Sequence, residues 1–204
     1  MGSMPQTVTP DTILRIRRLQ IVTIAWMAAE AAISLFAAWR ARSPALLAFG
    51  GDSAIELFSA GVVLWRFKSS PHEHAERHAA QIAGGLLLLL AAYVVTASVL
   101  TLTGHNEPKS TRLGIAVLVM AVAIMPLLAK EKRRLSAITG SAALRADAAE
   151  SALCAYLSVI VLIGLILNSI WRIKWSDPAA ALAITPFVVW EAREALRGRS
   201  CGCS

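Results

Sequence analysis

The chain has 204 residues, 56% of them hydrophobic and 16% charged, and a mean hydropathy of +0.60. That leaves too little polar material to cover a single soluble core, so the composition is that of an integral membrane protein. The net charge of +7 does not signal nucleic acid, because Lys and Arg fall in short clusters between apolar runs with no basic face interleaved with aromatics.

In chain order, residues 1–19 form an N-terminal segment, and Met1-Gly2-Ser3 ahead of a second methionine, Met4, reads as an expression remnant. No cleavable signal peptide is expected, since Arg15, Arg17 and Arg18 flank the first apolar run and no small-residue cleavage site follows it. A helix crossing the hydrocarbon needs about 20 mostly apolar residues. Stretches at 20–39, 44–66, 79–103, 112–129, 143–171 and 177–196 meet that length. The connections between them are short: RARSP, SSPHEHAERH, GHNEPKSTR, KEKRR and WRIKWSDP. The expected fold is therefore an all-α bundle of six transmembrane helices over 20–196, with 197–204 as a short Cys-containing tail. With both termini on one side, 14 of the 20 Lys and Arg residues fall on that side. The positive-inside rule then makes both termini cytoplasmic, in what would be a bacterial inner membrane.

Five of the 13 acidic residues, Glu30, Asp52, Glu56, Asp147 and Glu150, fall at membrane depth. A charge at the bilayer centre costs roughly 2.5 to 3.5 kcal/mol on the lenient insertion scale, so such groups face a bundle interior or an aqueous cavity and mark ion paths. Asp52 and Glu56, at i and i+4, share one helical face. Asp147, Glu150 and Cys154, at i, i+3 and i+7, span an arc of about 60° at 100° per residue. With no buried Lys or Arg expected beside them except Arg145 near one end, a divalent cation or protons would supply the missing positive charge. The structural alternative is protonated carboxyls and a free thiol joining helices by hydrogen bonds. Glu30, alone on span one, is expected to hydrogen-bond a neighbour or sit in a watery vestibule, outside the ligand set.

These motifs resemble the cation diffusion facilitators, whose six spans export divalent metals by proton antiport. In that family span two carries Asp-x-x-x-Asp after small residues, and LLAFGGDSAIE is similar with Glu56 in the second place. Span five carries Ala-Asp-x-x-His-x-x-x-Asp, and ALRADAAESALC is similar, with Ala146, Asp147, Glu150 at the His place and Cys154 at the last Asp. Asp177-Pro178 opening span six adds to the likeness. The resemblance, to a short branch without the usual cytosolic domain, implies a ligand set of Asp52, Glu56, Glu150 and Cys154. Asp147 would be a supporting or proton-carrying group or a replacement ligand. Three carboxylates and a thiolate suit tetrahedral Zn²⁺, and sulfur extends tolerance to Cd²⁺. Mg²⁺ and Ca²⁺, which want more oxygen ligands, fit less well.

His72, His74 and His78 lie in the connection after span two, where the resemblance implies a lesser metal site; a solvated, pH-sensitive connector is the plainer expectation. Cys201 and Cys203 in the tail are candidates for weak metal capture, acylation or no role. The expected function is proton-coupled efflux of Zn²⁺, with Cd²⁺, by a secondary transporter that is not an enzyme and holds no permanent cofactor. It would act in the lipid bilayer as a homodimer joined through membrane helices, with the LLLLL run of span three as the candidate contact. The alternatives are a membrane metal sensor or regulator that does not transport, and a proton-coupled exporter of small organic cations through an acidic cavity.

Overall fold

A computed structural model describes residues 10–66, 73–104, 109, 111–139 and 142–197. The helices are α1 (Pro10–Ala41), α2 (Pro44–Arg66), α3 (Glu73–Leu102), α4 (Arg112–Thr139), α5 (Ala142–Trp171) and α6 (Ser176–Leu196). Four of them are long and apolar enough, within the described residues, to cross a membrane by length and composition: α1, α3, α4 and α5. α2 and α6 complete the expected six-helix membrane bundle, and they are the helices that carry its acidic cluster.

Three boundaries differ from the expected ones. α1 begins at Pro10, a full ten residues early, because Ile16 and Leu19, half-buried and a turn apart, extend the buried face of Thr23 and Glu30 past the exposed Arg15, Arg17 and Arg18. α3 begins at Glu73, so His74 and His78 belong to a helix by backbone. KEKRR is no connection at all: α4 runs through it to Thr139, since Lys, Glu and Arg are good helix formers and Leu135 and Ser136 bury on the same face as Lys132.

The helix ends show how this sequence closes its turns. Arg42 takes φ 52° after α1, and the Ser43 amide donates back to the Ala38 carbonyl at 3.2 Å, a Schellman closure without glycine. Ser43 then caps α2, its Oγ accepting from the Leu46 amide at 3.1 Å, with Pro44 in the first-turn position where a missing amide costs nothing. A second acceptor comes from across the bundle: Asp177 Oδ1 takes the Ala45 amide at 3.1 Å. The Asp-Pro pair that opens α6 thus ties the start of α6 to the positive end of α2.

The helices close in a ring in the order α3, α6, α5, α4, α1, α2, and α2 also reaches across it to α5 and α6. Leu46, Phe49, Leu118, Met125, Leu165 and Ile184 fill the centre, and a smaller cluster of Leu87, Ala91, Val188 and Ala192 seals α3 to α6. Gly50 and Gly51 let α2 sit close to both neighbours. A Cβ at Gly50 would lie 2.8 Å from the Ser34 side chain of α1, and one at Gly51 would lie 2.7 Å from Leu90 of α3. Large apolar side chains such as Leu89, Leu127 and Ile163 point outward, as a lipid-facing wall requires, and Trp39, Trp171 and Trp175 ring the end where α1 and α5 finish.

Candidate metal-binding site

Asp52 and Glu56 lie about 12 and 18 Å along α2 from its start at 1.5 Å per residue, which places them at mid-bundle depth. The third member of their cluster is Glu191 of α6. One carboxylate oxygen from each of the three lies within 4.8 Å of the others. Tetrahedral ligand oxygens around an ion at 2.0 to 2.2 Å stand about 3.4 Å apart, so small side-chain rotations would close this set on one metal. Asp52 is 2% exposed and its Oδ1 has no hydrogen-bond partner, while Glu56 and Glu191 are half-buried. Among the described residues no Lys or Arg pairs with any of the three. A buried carboxylate oxygen left without a donor is costly, and a cation, a proton or a water molecule would satisfy it.

Glu150, expected as a ligand, stands half-buried on α5, where its charge acts on Asp52, Glu56 and Glu191 without its joining their cluster. Cys154, also an expected ligand, is buried and turned to Glu30: its Sγ donates to Glu30 Oε1 at 3.4 Å. The same oxygen accepts from Ser53 Oγ at 2.9 Å, and Oε2 accepts from Trp26 Nε1 at 2.7 Å. Glu30 is thereby fully buried with both oxygens engaged, which matches the expectation that it bonds its neighbours. The knot joins α1, α2 and α5 at the turn of α2 that carries Asp52, since Ser53 follows it in the chain.

Asp147 corrects the expectation that no buried cation accompanies the acids. Lys132, counted among the connecting residues, is fully buried and donates to Asp147 Oδ1 at 2.7 Å and to Ser151 Oγ at 2.9 Å. Gln20 Nε2 donates to the other oxygen at 2.6 Å. Asp147 is thus the anion of an ion pair whose contacts join α1, α4 and α5. The physical reason is the extra length of α4, which carries Lys132 into the bundle.

Glu191 is the member of the cluster that the sequence does not single out, since it lies only five residues from the end of α6. One sequence signal marks it, its place inside the sixth apolar run; in the structure Val188 and Ala192, a turn away and next door, bury against α3. His72, Cys201 and Cys203 lie outside the described residues, as do the side chains of His74 and His78. A family model described as the cation efflux transmembrane domain matches residues 21–198. The comparison with curated proteins gives no match. With acids converging at mid-bundle and the family model spanning nearly every helix, the chain belongs to the cation efflux family of membrane transporters.

Proposed function

We propose that this protein exports divalent transition-metal ions, Zn²⁺ foremost, in exchange for protons by alternating access. The ion binds Asp52 and Glu56 of α2 and Glu191 of α6. What carries this reading is the convergence of three carboxylates from two helices at mid-bundle with no cationic side chain among them. Metal and protons compete for these groups because ligands must be deprotonated to bind. α2 touches α1, α3, α5 and α6, so a rocking of the ring would open the cluster to one side and then the other.

The donor set supports Zn²⁺ through its carboxylates, which Zn²⁺ binds at about 2.0 to 2.2 Å. The case for Cd²⁺ depends on sulfur, and with Cys154 donating to Glu30 the three clustered carboxylates favour Zn²⁺ over it. An all-oxygen cluster brings Mn²⁺ in as a second reading, since carboxylate and water ligands suit it. The proposed orientation, with both termini cytoplasmic, keeps its basis in the positive-inside rule, less Lys132, whose charge is used internally. A homodimer is proposed through α3, where Leu86, Leu88 and Leu89 are exposed.

Proteoliposomes loaded with a metal-sensitive dye and given an imposed proton gradient test the function. Zn²⁺ flux that depends on the gradient is expected. Binding without flux would favour a sensor, and flux of small organic cations without Zn²⁺ would favour the exporter alternative.

A further inference from the structure

A cavity of about 390 Å³ lies between α4 and α5 on the outer wall of the bundle, away from the acidic cluster. On α4, Val122, Pro126, Lys130 and Arg133 follow at i, i+4, i+8 and i+11 and form one stripe. On α5, Ala152, Ala155, Tyr156 and Val159 form the facing stripe at i, i+3, i+4 and i+7. The groove exists because the side chains are small where the helices face each other, and Pro126, which has no amide to donate to the Val122 carbonyl, lines the same space. Leu127 and Ile163 beside it are more than half exposed, so this wall faces acyl chains.

We propose that the groove binds one anionic phospholipid, with an acyl chain along Val122, Ala152, Ala155 and Val159 and the headgroup phosphate on Lys130 and Arg133. Length and charge both choose this occupant. From Val122 to Arg133 the groove runs about 16 Å at 1.5 Å per residue. That matches the roughly 15 Å occupied by one leaflet of a 30 Å hydrocarbon core. The basic pair sits at one end only, in the final third of α4, where such a lipid would place its phosphate. Both side chains are exposed, and among the described residues neither has an acidic partner: the neighbouring Arg134 is the one facing Glu131. Basic pockets between membrane helices recognise anionic headgroups by this arrangement. A lipid seated there would brace α4 against α5 on the face opposite the Lys132–Asp147 pair. The inference is independent of the transported ion.

Native mass spectrometry of the full chain, titrated with phosphatidylglycerol and separately with phosphatidylcholine, tests it. Phosphatidylglycerol should bind the wild type about thirtyfold more tightly than it binds a Lys130→Ala/Arg133→Ala variant, from about one attractive contribution per basic residue. Phosphatidylcholine should bind both proteins equally, and free glycerol phosphate should not compete. Both substituted residues are exposed, so folding should be unaffected. As a second arm, a photocrosslinking amino acid at Val159 should capture lipid in membranes. Equal phosphatidylglycerol affinity in the two proteins, competition by glycerol phosphate, or a crosslinked second copy of the chain from position 159 would each overturn the proposal.

Discussion

Glu191 of α6 brings a carboxylate oxygen within 4.8 Å of Asp52 on α2, and through that approach the sixth helix enters the candidate site. Glu191→Gln should weaken Zn²⁺ binding by about a hundredfold, the upper end of what supporting residues alone cost at metal sites. Isothermal titration in detergent measures it. Glu194→Gln, an acid of the same helix that pairs with Arg197 at 3.2 Å, is the control and should leave affinity unchanged.

Cys154 donates to Glu30 and stands outside the cluster of Asp52, Glu56 and Glu191. Cys154→Ser preserves a donor of similar size, so the ratio of Zn²⁺ to Cd²⁺ affinity should change by no more than about twofold, as befits an oxygen-only site. A selective fall in Cd²⁺ affinity would show that the thiol leaves Glu30 and ligates the metal. Competition titrations with the two ions supply the ratio.

The Lys132–Asp147 pair predicts a stability effect separable from metal binding. Lys132→Met would leave Asp147 without its cation in a mostly buried place, at a cost of about 3 kcal/mol. Lys132→Met/Asp147→Leu removes both charges and should recover most of that loss, since replacing a whole buried pair with apolar residues is close to neutral. Denaturation of the three proteins in the same detergent gives the comparison. Equal losses in the single and double variants would show that the pair is not the source.

At the other end of the bundle, Asp177→Ala would take an acceptor from the Ala45 amide at the start of α2. A lost cap costs about 1 to 2 kcal/mol. Thermal unfolding should report that loss, while Zn²⁺ affinity should fall less than in Glu191→Gln, because Asp177 stands far along the bundle from the acidic cluster.

Proton competition gives transport a direction with pH. Asp52, Glu56 and Glu191 bind metal only when deprotonated, so apparent Zn²⁺ affinity should fall as pH falls on the loading side. Acidifying the release side should speed efflux. A flux insensitive to pH on both faces would contradict proton exchange.

How much of this was legible in the sequence depended on which physical pattern carried it. Apolar length announced the six helices, and the i, i+4 spacing of Asp52 and Glu56 put both on one face, where the structure has them together. The partner helix was harder to read. Spacing along α5 places Asp147, Glu150 and Cys154 on one arc but says nothing of what each meets. In the bundle one faces Lys132, one stands half-buried outside the cluster of Asp52, Glu56 and Glu191, and one faces Glu30. The role of Lys132 was hidden because a run of charged residues reads as a solvated connection when it also serves as the last turns of a helix. Glu191 was hidden because its approach to α2 is a tertiary contact between helices that are distant in sequence.

The most direct test is an anomalous-scattering map from crystals soaked in Zn²⁺. The account predicts one peak at about 2.0 to 2.2 Å from carboxylate oxygens of Asp52, Glu56 and Glu191, with Cys154 still on Glu30. A peak ligated by Glu150 and Cys154 with Glu191 turned away, or no ion among these acids at all, would contradict it.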